Sequence, residues 1–287
     1  ASRRTLGLDT INEAAYYDFR EAVTSDFVYA FVPETEQHAW TYASEQGAIL
    51  NPTITIGGGT MFFVESHNPE TLNKPSGRNK LSDLLSGGAD LVALDMRRGE
   101  VLWRGGGEFT TAEHNLYACY AEGKLVVVGS RNGANQAGAP RVMFDVHVFN
   151  AETGESAWSA TQTQSTEIGG SHGEQDLHPV IVGTTLYCEP RAYELHTGKT
   201  VDWGWSQGHR RGCGTISASA SAFFYRQSNP TMFDLTSGVQ SPVTTTTRPG
   251  CWVNMIPAGG LLLIPEASSG CTCNYAVQTS LAFLPIP

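Results

Sequence analysis

Apolar and polar residues alternate along most of the chain in short runs that end at a turn and then reach a tryptophan. The run Asp90-Leu-Val-Ala-Leu-Asp-Met-Arg-Arg-Gly99 leads to Trp103, and Asp145-Val-His-Val-Phe-Asn-Ala-Glu-Thr-Gly154 leads to Trp158. Arg191-Ala-Tyr-Glu-Leu-His-Thr-Gly198 leads to Trp203, and Asp26-Phe-Val-Tyr-Ala-Phe-Val-Pro-Glu-Thr-Glu36 leads to Trp40 with Glu36 in place of the glycine. Thr231-Met-Phe-Asp-Leu-Thr-Ser-Gly238 is a worn copy. Alternation with period two marks half-buried strands, and the glycine supplies the positive φ that a tight turn needs, so each run predicts a β-hairpin.

A second hairpin type alternates with the first. Its copies are Thr53–Val64, Leu116–Val128, Pro179–Cys188, Thr215–Tyr225 and Met255–Ile264. Two hairpins make one four-stranded antiparallel sheet. The tryptophans recur at steps of 63, 55 and 45 residues, so the loops vary while the unit persists. A four-stranded unit at this period predicts an all-β chain, a β-propeller. One small twisted sheet cannot cover both its faces, whereas sheets packed radially cover each other. The tryptophans read as core between blades. About six blades are visible, as a complete ring or as part of a seven- or eight-bladed one. Residues 1–25 form an N-terminal segment available to complete the first blade, and residues 26–287 form the propeller. The segment Asn68–Gly88 reads as a polar, mobile loop on one rim, a lid or partner contact.

Composition narrows the setting. The 287 residues carry 18 basic and 28 acidic side chains, a net charge of −10, and only 16% of residues are charged. Apolar residues make up 40%, which excludes a disordered chain. An acidic surface repels phosphates, which argues against nucleic acid as a partner. No stretch approaches the roughly 18 apolar residues of a membrane span. The opening ASRRTLGLDT lacks an apolar signal region, so no signal peptide is expected within it. Low charge, abundant Ser, Thr and Gly, and clustered cysteines predict a periplasmic or extracellular location.

The hairpin pattern Val/Leu-x-Ala-Leu/Phe-Asp-x-x-x-Gly-x-x-x-Trp resembles the pyrroloquinoline-quinone-like (PQQ-like) β-propeller repeat, with Asp90 to Trp103 the nearest copy. Arg211-Gly-Cys-Gly, Arg248-Pro-Gly-Cys-Trp252, Ile256-Pro-Ala-Gly-Gly260, Cys271-Thr-Cys-Asn-Tyr275 and Ala48–Gly57 resemble PQQ-binding-like repeat proteins of planctomycete-type bacteria. The resemblance covers most of residues 26–287. It implies the propeller but little about activity, because one fold hosts many functions. Quinoprotein dehydrogenases cover their cofactor with a disulfide between adjacent cysteines. Here Thr272 separates Cys271 from Cys273, so PQQ is not the expected cofactor.

Three clusters carry candidate chemistry. His172, Glu174, Asp176 and His178 occupy alternate positions before a strand. An extended chain points all four one way, a set suited to a divalent metal such as Zn²⁺, Mn²⁺ or Fe²⁺; the alternative is a solvated interblade loop. His67, His114 and His209 sit near hairpin ends, where residues of successive blades gather around a propeller channel. Arg210, Arg211 and Trp252 could recognise an acidic or planar ligand, or simply pack between blades. Cys213, Cys251, Cys271 and Cys273 read as two disulfides of undetermined pairing or as a thiolate metal site. Cys119 and Cys188 lie in predicted strands and read as buried thiols.

The sequence therefore predicts an exported propeller that binds a protein partner or a small ligand. The alternatives are a metal- or redox-cofactor-dependent enzyme, either an oxidoreductase or a carbohydrate-active lyase, with its site in the channel, and a scaffold domain of a larger redox assembly.

Overall fold

The computed structural model describes residues 21–163, 177–204, 214–250, 254–266 and 279–284. The chain divides into two compact units, residues 1–174 and 175–287. Both are built from antiparallel β-sheets of the propeller-blade type, as the alternation predicts.

In the first unit the strands are β1 (Ala22–Ser25), β2 (Phe27–Val32), β3 (Gln37–Ala43), β4 (Ile49–Gly57), β5 (Thr60–Ser66), β6 (Arg78–Asn79), β7 (Ala89–Asp95), β8 (Val101–Gly106), β9 (Asn115–Ala121), β10 (Lys124–Ala134), β11 (Pro140–Asn150) and β12 (Ser156–Thr163). They form the sheets β6-β1-β4-β5-β7-β8 and β12-β11-β10-β9 and the hairpin β2-β3. Strand β1 joins the sheet of the following repeat, where Thr24 lies opposite Leu50, and does not pair with β2 or β3. The alternation explains why the central sheet is covered on both sides. Phe62, Val64, Leu91 and Ala93 pack with Leu116, Ala118, Leu125 and Val127 of the next sheet. The intervening Phe63, Val92 and Leu94 pack with Val28, Trp40 and Tyr42 of the β2-β3 hairpin. Each such large side chain, fully buried, stabilises by about 1.5–3 kcal/mol.

The recurrent turn has one construction throughout. The residue that ends the third strand receives a backbone hydrogen bond from the glycine four positions on. These bonds are Gly99 to Asp95 and Gly154 to Asn150, both 2.8 Å, and Gly198 to Glu194 and Gly238 to Asp234, both 2.9 Å. Its side chain also caps the turn. Asp95 Oδ1 accepts from the amides of Arg97 and Arg98, both at 2.8 Å, and Asn150 Oδ1 accepts from Glu152 at 2.9 Å. The glycines have φ between 69° and 75°. Glu36 takes the same left-handed conformation at φ 53°, so the turn survives its missing glycine.

The conserved register then gives the tryptophan its task. Trp40 donates its indole N–H to the Met96 carbonyl at 3.0 Å, and a Cβ on Gly99 would lie 2.5 Å from the Trp40 ring. Trp103 donates to the Ala151 carbonyl at 3.0 Å, and a Cβ on Gly154 would lie 2.7 Å from its ring. Each indole rides on the turn of the next repeat, and only glycine leaves room for it. A buried polar cluster adds a second anchor for the hairpin. Glu65 is fully buried; Tyr42 donates to one carboxylate oxygen, and Arg104 donates to the other at 3.1 Å. Arg104 also donates to the Tyr42 hydroxyl and lies 5.7 Å above its ring. Burial, then the bond to Glu65, pushes the Tyr42 phenol pKa upward.

The Asn68–Gly88 segment corrects the expectation of a mobile rim loop. Asn68 caps a 3₁₀ turn over Pro69–Thr71, β6 pairs with β1, and a short helix α1 spans Leu81–Leu85. Leu81, Leu84 and Leu85 are buried in the core shared with the second sheet. Their i, i+3, i+4 spacing puts all three on one helix face, a signal masked by the polar residues around it.

In the second unit the strands are β13 (Val180–Val182), β14 (Thr185–Cys188), β15 (Arg191–Glu194), β16 (Thr200–Val201), β17 (Ser217–Ala218), β18 (Ala222–Gln227), β19 (Asn229–Asp234), β20 (Gln240–Pro242), β21 (Ile256–Ala258), β22 (Leu261–Ile264) and β23 (Leu281–Phe283). They form two four-stranded sheets and one of three strands, each in sequence order. Among the described residues, no helix is long and apolar enough to cross a membrane.

Candidate functional site

Among the described residues, a polar site lies in the first unit, where α1 and the turn before β9 face the end of the β9–β12 sheet. They enclose a cleft of about 710 Å³. Ser82 lines it from α1 and Ser86 from the cap that follows, Thr110 and Thr111 from the turn, and Arg131, Asp145 and His147 from the sheet, with Glu113 beside them.

Register brings the charged groups together. Asp145 on β11 lies opposite Gly129, and Arg131 is two residues further along β10, so both side chains rise from the same face. Arg131 grips Asp145 with two bonds, Nε to Oδ2 at 2.5 Å and Nη2 to Oδ1 at 3.2 Å. Thr161, opposite Asp145 on β12, donates to Oδ1 at 2.6 Å. The bond to Asp145 holds the Arg131 pKa above its ordinary value, so the guanidinium stays charged. Glu113 accepts from the Asn132 amide at 2.9 Å, and its side chain is 51% exposed. The three charges sum to −1, and the cation already has a partner.

Of the predicted histidines within the described residues, His67 and His114 do not line this cleft. His114 is buried, its Nε2 2.9 Å from Asn132 Oδ1 and 3.7 Å from Glu113. His67 Nε2 lies 3.1 Å from Asp90, the position in the preceding sheet that corresponds to Asp145. His67 and Arg131 are thus equivalent: each is the base, two residues past the pairing position, that meets the acid opening the third strand. Sequence reasoning picked out His67 and His114 and missed Arg131, Asp145 and His147. The available signal was the repeat itself, since Asp90 and Asp145 open corresponding runs.

His178 precedes β13. Its Nδ1 lies 3.0 Å from the Pro179 carbonyl, and burial holds its pKa below the ordinary histidine value. His172, Glu174, Asp176, His209, Arg210, Arg211, Trp252, Cys213, Cys251, Cys271 and Cys273 lie outside the described residues. Among the described residues, no three His, Cys, Asp or Glu side chains are grouped to hold a metal. Cys119 and Cys188 lie within strands, as expected; Cys188 is fully buried, Cys119 is partly buried, and burial pushes the Cys119 thiol up to about 12. These thiols stand on strands β9 and β14, in separate sheets, and the chain has no adjacent cysteine pair. Its residues therefore do not fit the disulfide cover of a quinoprotein cofactor.

No family model matches the chain, and no curated protein matches it. Solved structures similar to it include a europium-containing methanol dehydrogenase (13% identity, TM-score 0.40), with 83% of this chain and 51% of that one covered. The YjhT protein matches at 11% identity and TM-score 0.40, with 75% and 71% covered. Rhamnogalacturonan lyase YesW matches at 12% identity and TM-score 0.41, with 80% and 46% covered. The chain thus spans about half the length of the dehydrogenase and of the lyase.

Proposed function

We propose that this chain is the ligand-binding propeller module of an exported protein, and that its cleft holds a small, neutral, hydroxyl-rich molecule such as a sugar. The observation that carries this reading is the Arg131–Asp145–Thr161 assembly, a rigid set of hydrogen-bonding groups in an open cleft whose cation is already neutralised. A pre-positioned polar wall gives up little side-chain entropy on binding. Phosphate or carboxylate ligands would meet Glu113 and Asp145 with no uncommitted positive charge, so anions are disfavoured and hydroxyl groups favoured. Calorimetric titration with neutral mono- and disaccharides and with uronic acids tests the reading. Binding of a neutral sugar, weakened about tenfold or more in Asp145→Asn, is expected. Tighter binding of a uronate, or no sugar binding at all, would overturn it.

A second reading, a divalent-metal centre at His172, Glu174, Asp176 and His178, has one observation in its favour. The Nδ1–H of His178 is placed to donate to the Pro179 carbonyl, a hydrogen bond of the kind that commonly orients metal-bound imidazoles. Elemental analysis of the purified protein and of His178→Ala tests it: about one metal per chain, lost in the variant, is the expected result.

A further inference from the structure

Among the described residues, no indole stands at the tryptophan position of the β17–β20 sheet; in the β13–β16 sheet Val201 takes the place opposite Ala192, and Trp203 follows the strand. In the first unit Trp103 stands opposite Ala93, Trp158 opposite Val148 and Trp40 opposite Ala30. In all three the register shifts by one residue beside that pair, a bulge that aims the indole out of the strand. In the β17–β20 sheet the corresponding residue is Met232, two before the turn residue Asp234. It faces Ser241 in unshifted register. Both the bulge and the indole are gone.

A cavity of about 600 Å³ lies at that place. Its walls repeat those around Trp103. In the first unit the indole lies 6.0 Å from Phe62, and Tyr120 of the next sheet stacks on Phe62 at 5.6 Å. By register Phe224 occupies the place of Phe62, opposite the residue two before the turn. Pro257 occupies the place of Tyr120, one residue before the alanine that ends the next sheet's first strand. Phe224, Met232, Pro257, Leu262 and Phe283 line the cavity, with Ser241 where an indole would begin. Asp234, at its edge, is the charged side chain among the described lining residues, and its carboxylate accepts from the turn amides of Thr236 and Ser237. The other face of the same sheet is packed, with Trp203, Phe223 and Phe233 in mutual ring contact. The gap is local to one face.

We propose that this vacated indole position is a binding site for a planar aromatic molecule of about bicyclic size, neutral or weakly polar. The occupant's chemistry is read from the sister sheets, where an aromatic ring fills the same register position between the same kinds of wall. A largely apolar pocket of this size with a few polar groups at its edge is of the kind that takes up aromatic ligands. The site is separate from the polar cleft and does not depend on the reading given to that cleft.

Saturation-transfer NMR on the whole chain with 2-naphthol as probe tests the proposal, with cyclohexanol as the saturated counterpart. The expected result is binding of naphthol with a Kd of about 0.1–1 mM, at least several-fold tighter than cyclohexanol. Ser241→Trp, which restores the indole, is expected to weaken it at least tenfold. Ser241→Leu fills the same space with a smaller side chain and serves if the tryptophan variant fails to fold. Absence of naphthol binding, equal binding of cyclohexanol, or naphthol binding unchanged in the variant that folds would each overturn the proposal; the first result would mean that the chain itself or solvent suffices to fill the gap.

Discussion

The two units share one turn and differ in what rests on it. In the first, Trp40 and Trp103 each place an indole on the glycine of the following turn and bond to a turn carbonyl. In the second, Trp203 bonds to the Pro190 carbonyl of its own sheet at 3.1 Å, and no described residue lies within 4 Å of where a Cβ would stand on Gly238. Trp203 follows its turn glycine by five residues rather than four, which carries its ring off the common path. It meets Tyr187, Phe223 and Phe233 edge-on instead. The turn can therefore form without its indole, and the indole is a lock between successive repeats rather than part of the turn. A repeat can lose the lock and still make its sheet.

The largest effects should appear where the locks of the first unit are broken. Arg104→Ala leaves the Glu65 carboxylate fully buried with only Tyr42 to bond it, a loss of about 3–5 kcal/mol. Trp40→Ala removes a buried ring and its hydrogen bond, again about 3–5 kcal/mol. Trp203→Ala should cost clearly less, because that ring is only partly buried and makes edge contacts. Urea unfolding of the three variants, read as shifts in midpoint at constant slope, measures this. Equal losses for Trp40→Ala and Trp203→Ala would erase the distinction between the units.

The glycines give a sharper, smaller contrast. Gly99→Ala must hold an alanine at φ 71° and also displace the Trp40 ring. The left-handed backbone costs about 1–2 kcal/mol and the overpacking about 1–3 kcal/mol more. Gly238→Ala carries only the first cost, since its φ of 69° is the same but its surroundings are open. Thermal unfolding should thus rank Gly99→Ala well below Gly238→Ala. The reverse order would mean that the Trp40 ring moves aside freely and is no lock.

Much of this architecture was legible in the sequence because it rests on local rules. Period-two alternation sets which residues of β5 and β7 face each side, and the Asp-x-x-x-Gly spacing sets the turn. What rests on register was not legible. Arg131 and Asp145 are 14 residues apart, and only the pairing of β10 with β11 reveals that they share a face. Glu65 stands two residues before the candidate His67 in sequence, yet it is a buried anchor for Tyr42 and Arg104, which come from two other strands. Leu81, Leu84 and Leu85 did carry a helical spacing, but one turn of helix within a polar insertion is too short a pattern to stand out. The vacated tryptophan position is a subtler case. The worn repeat was visible, but whether a neighbour closes over the gap depends on the β21–β23 sheet.

The smallest effect concerns the turn caps, and it separates one turn of the first unit from those of the second by charge rather than packing. The first unit caps one turn with the carboxylate of Asp95 and another with a neutral amide, Asn150, whereas the second uses carboxylates, Glu194 and Asp234. The Ser237 backbone amide, then its hydroxyl, hold the Asp234 pKa below its ordinary 3.8, and the Thr197 side chain does the same for Glu194 below 4.5. A carboxylate with a depressed folded pKa contributes stability that is complete above its unfolded pKa. That stability is lost as pH falls through the folded value, because the unfolded chain takes up the proton first. The second unit should therefore lose stability below about pH 4.5 at turns where the Asn150 turn does not titrate. Asp234→Asn converts the turn to the Asn150 type. Its midpoint of thermal unfolding should sit at or slightly below that of the unaltered chain at pH 6, and the gap should narrow steadily down to pH 3. A gap that stays constant across that range would show that Asp234 holds its turn by shape alone, as Asn150 does, and that the charge of the cap makes no difference between the two turns.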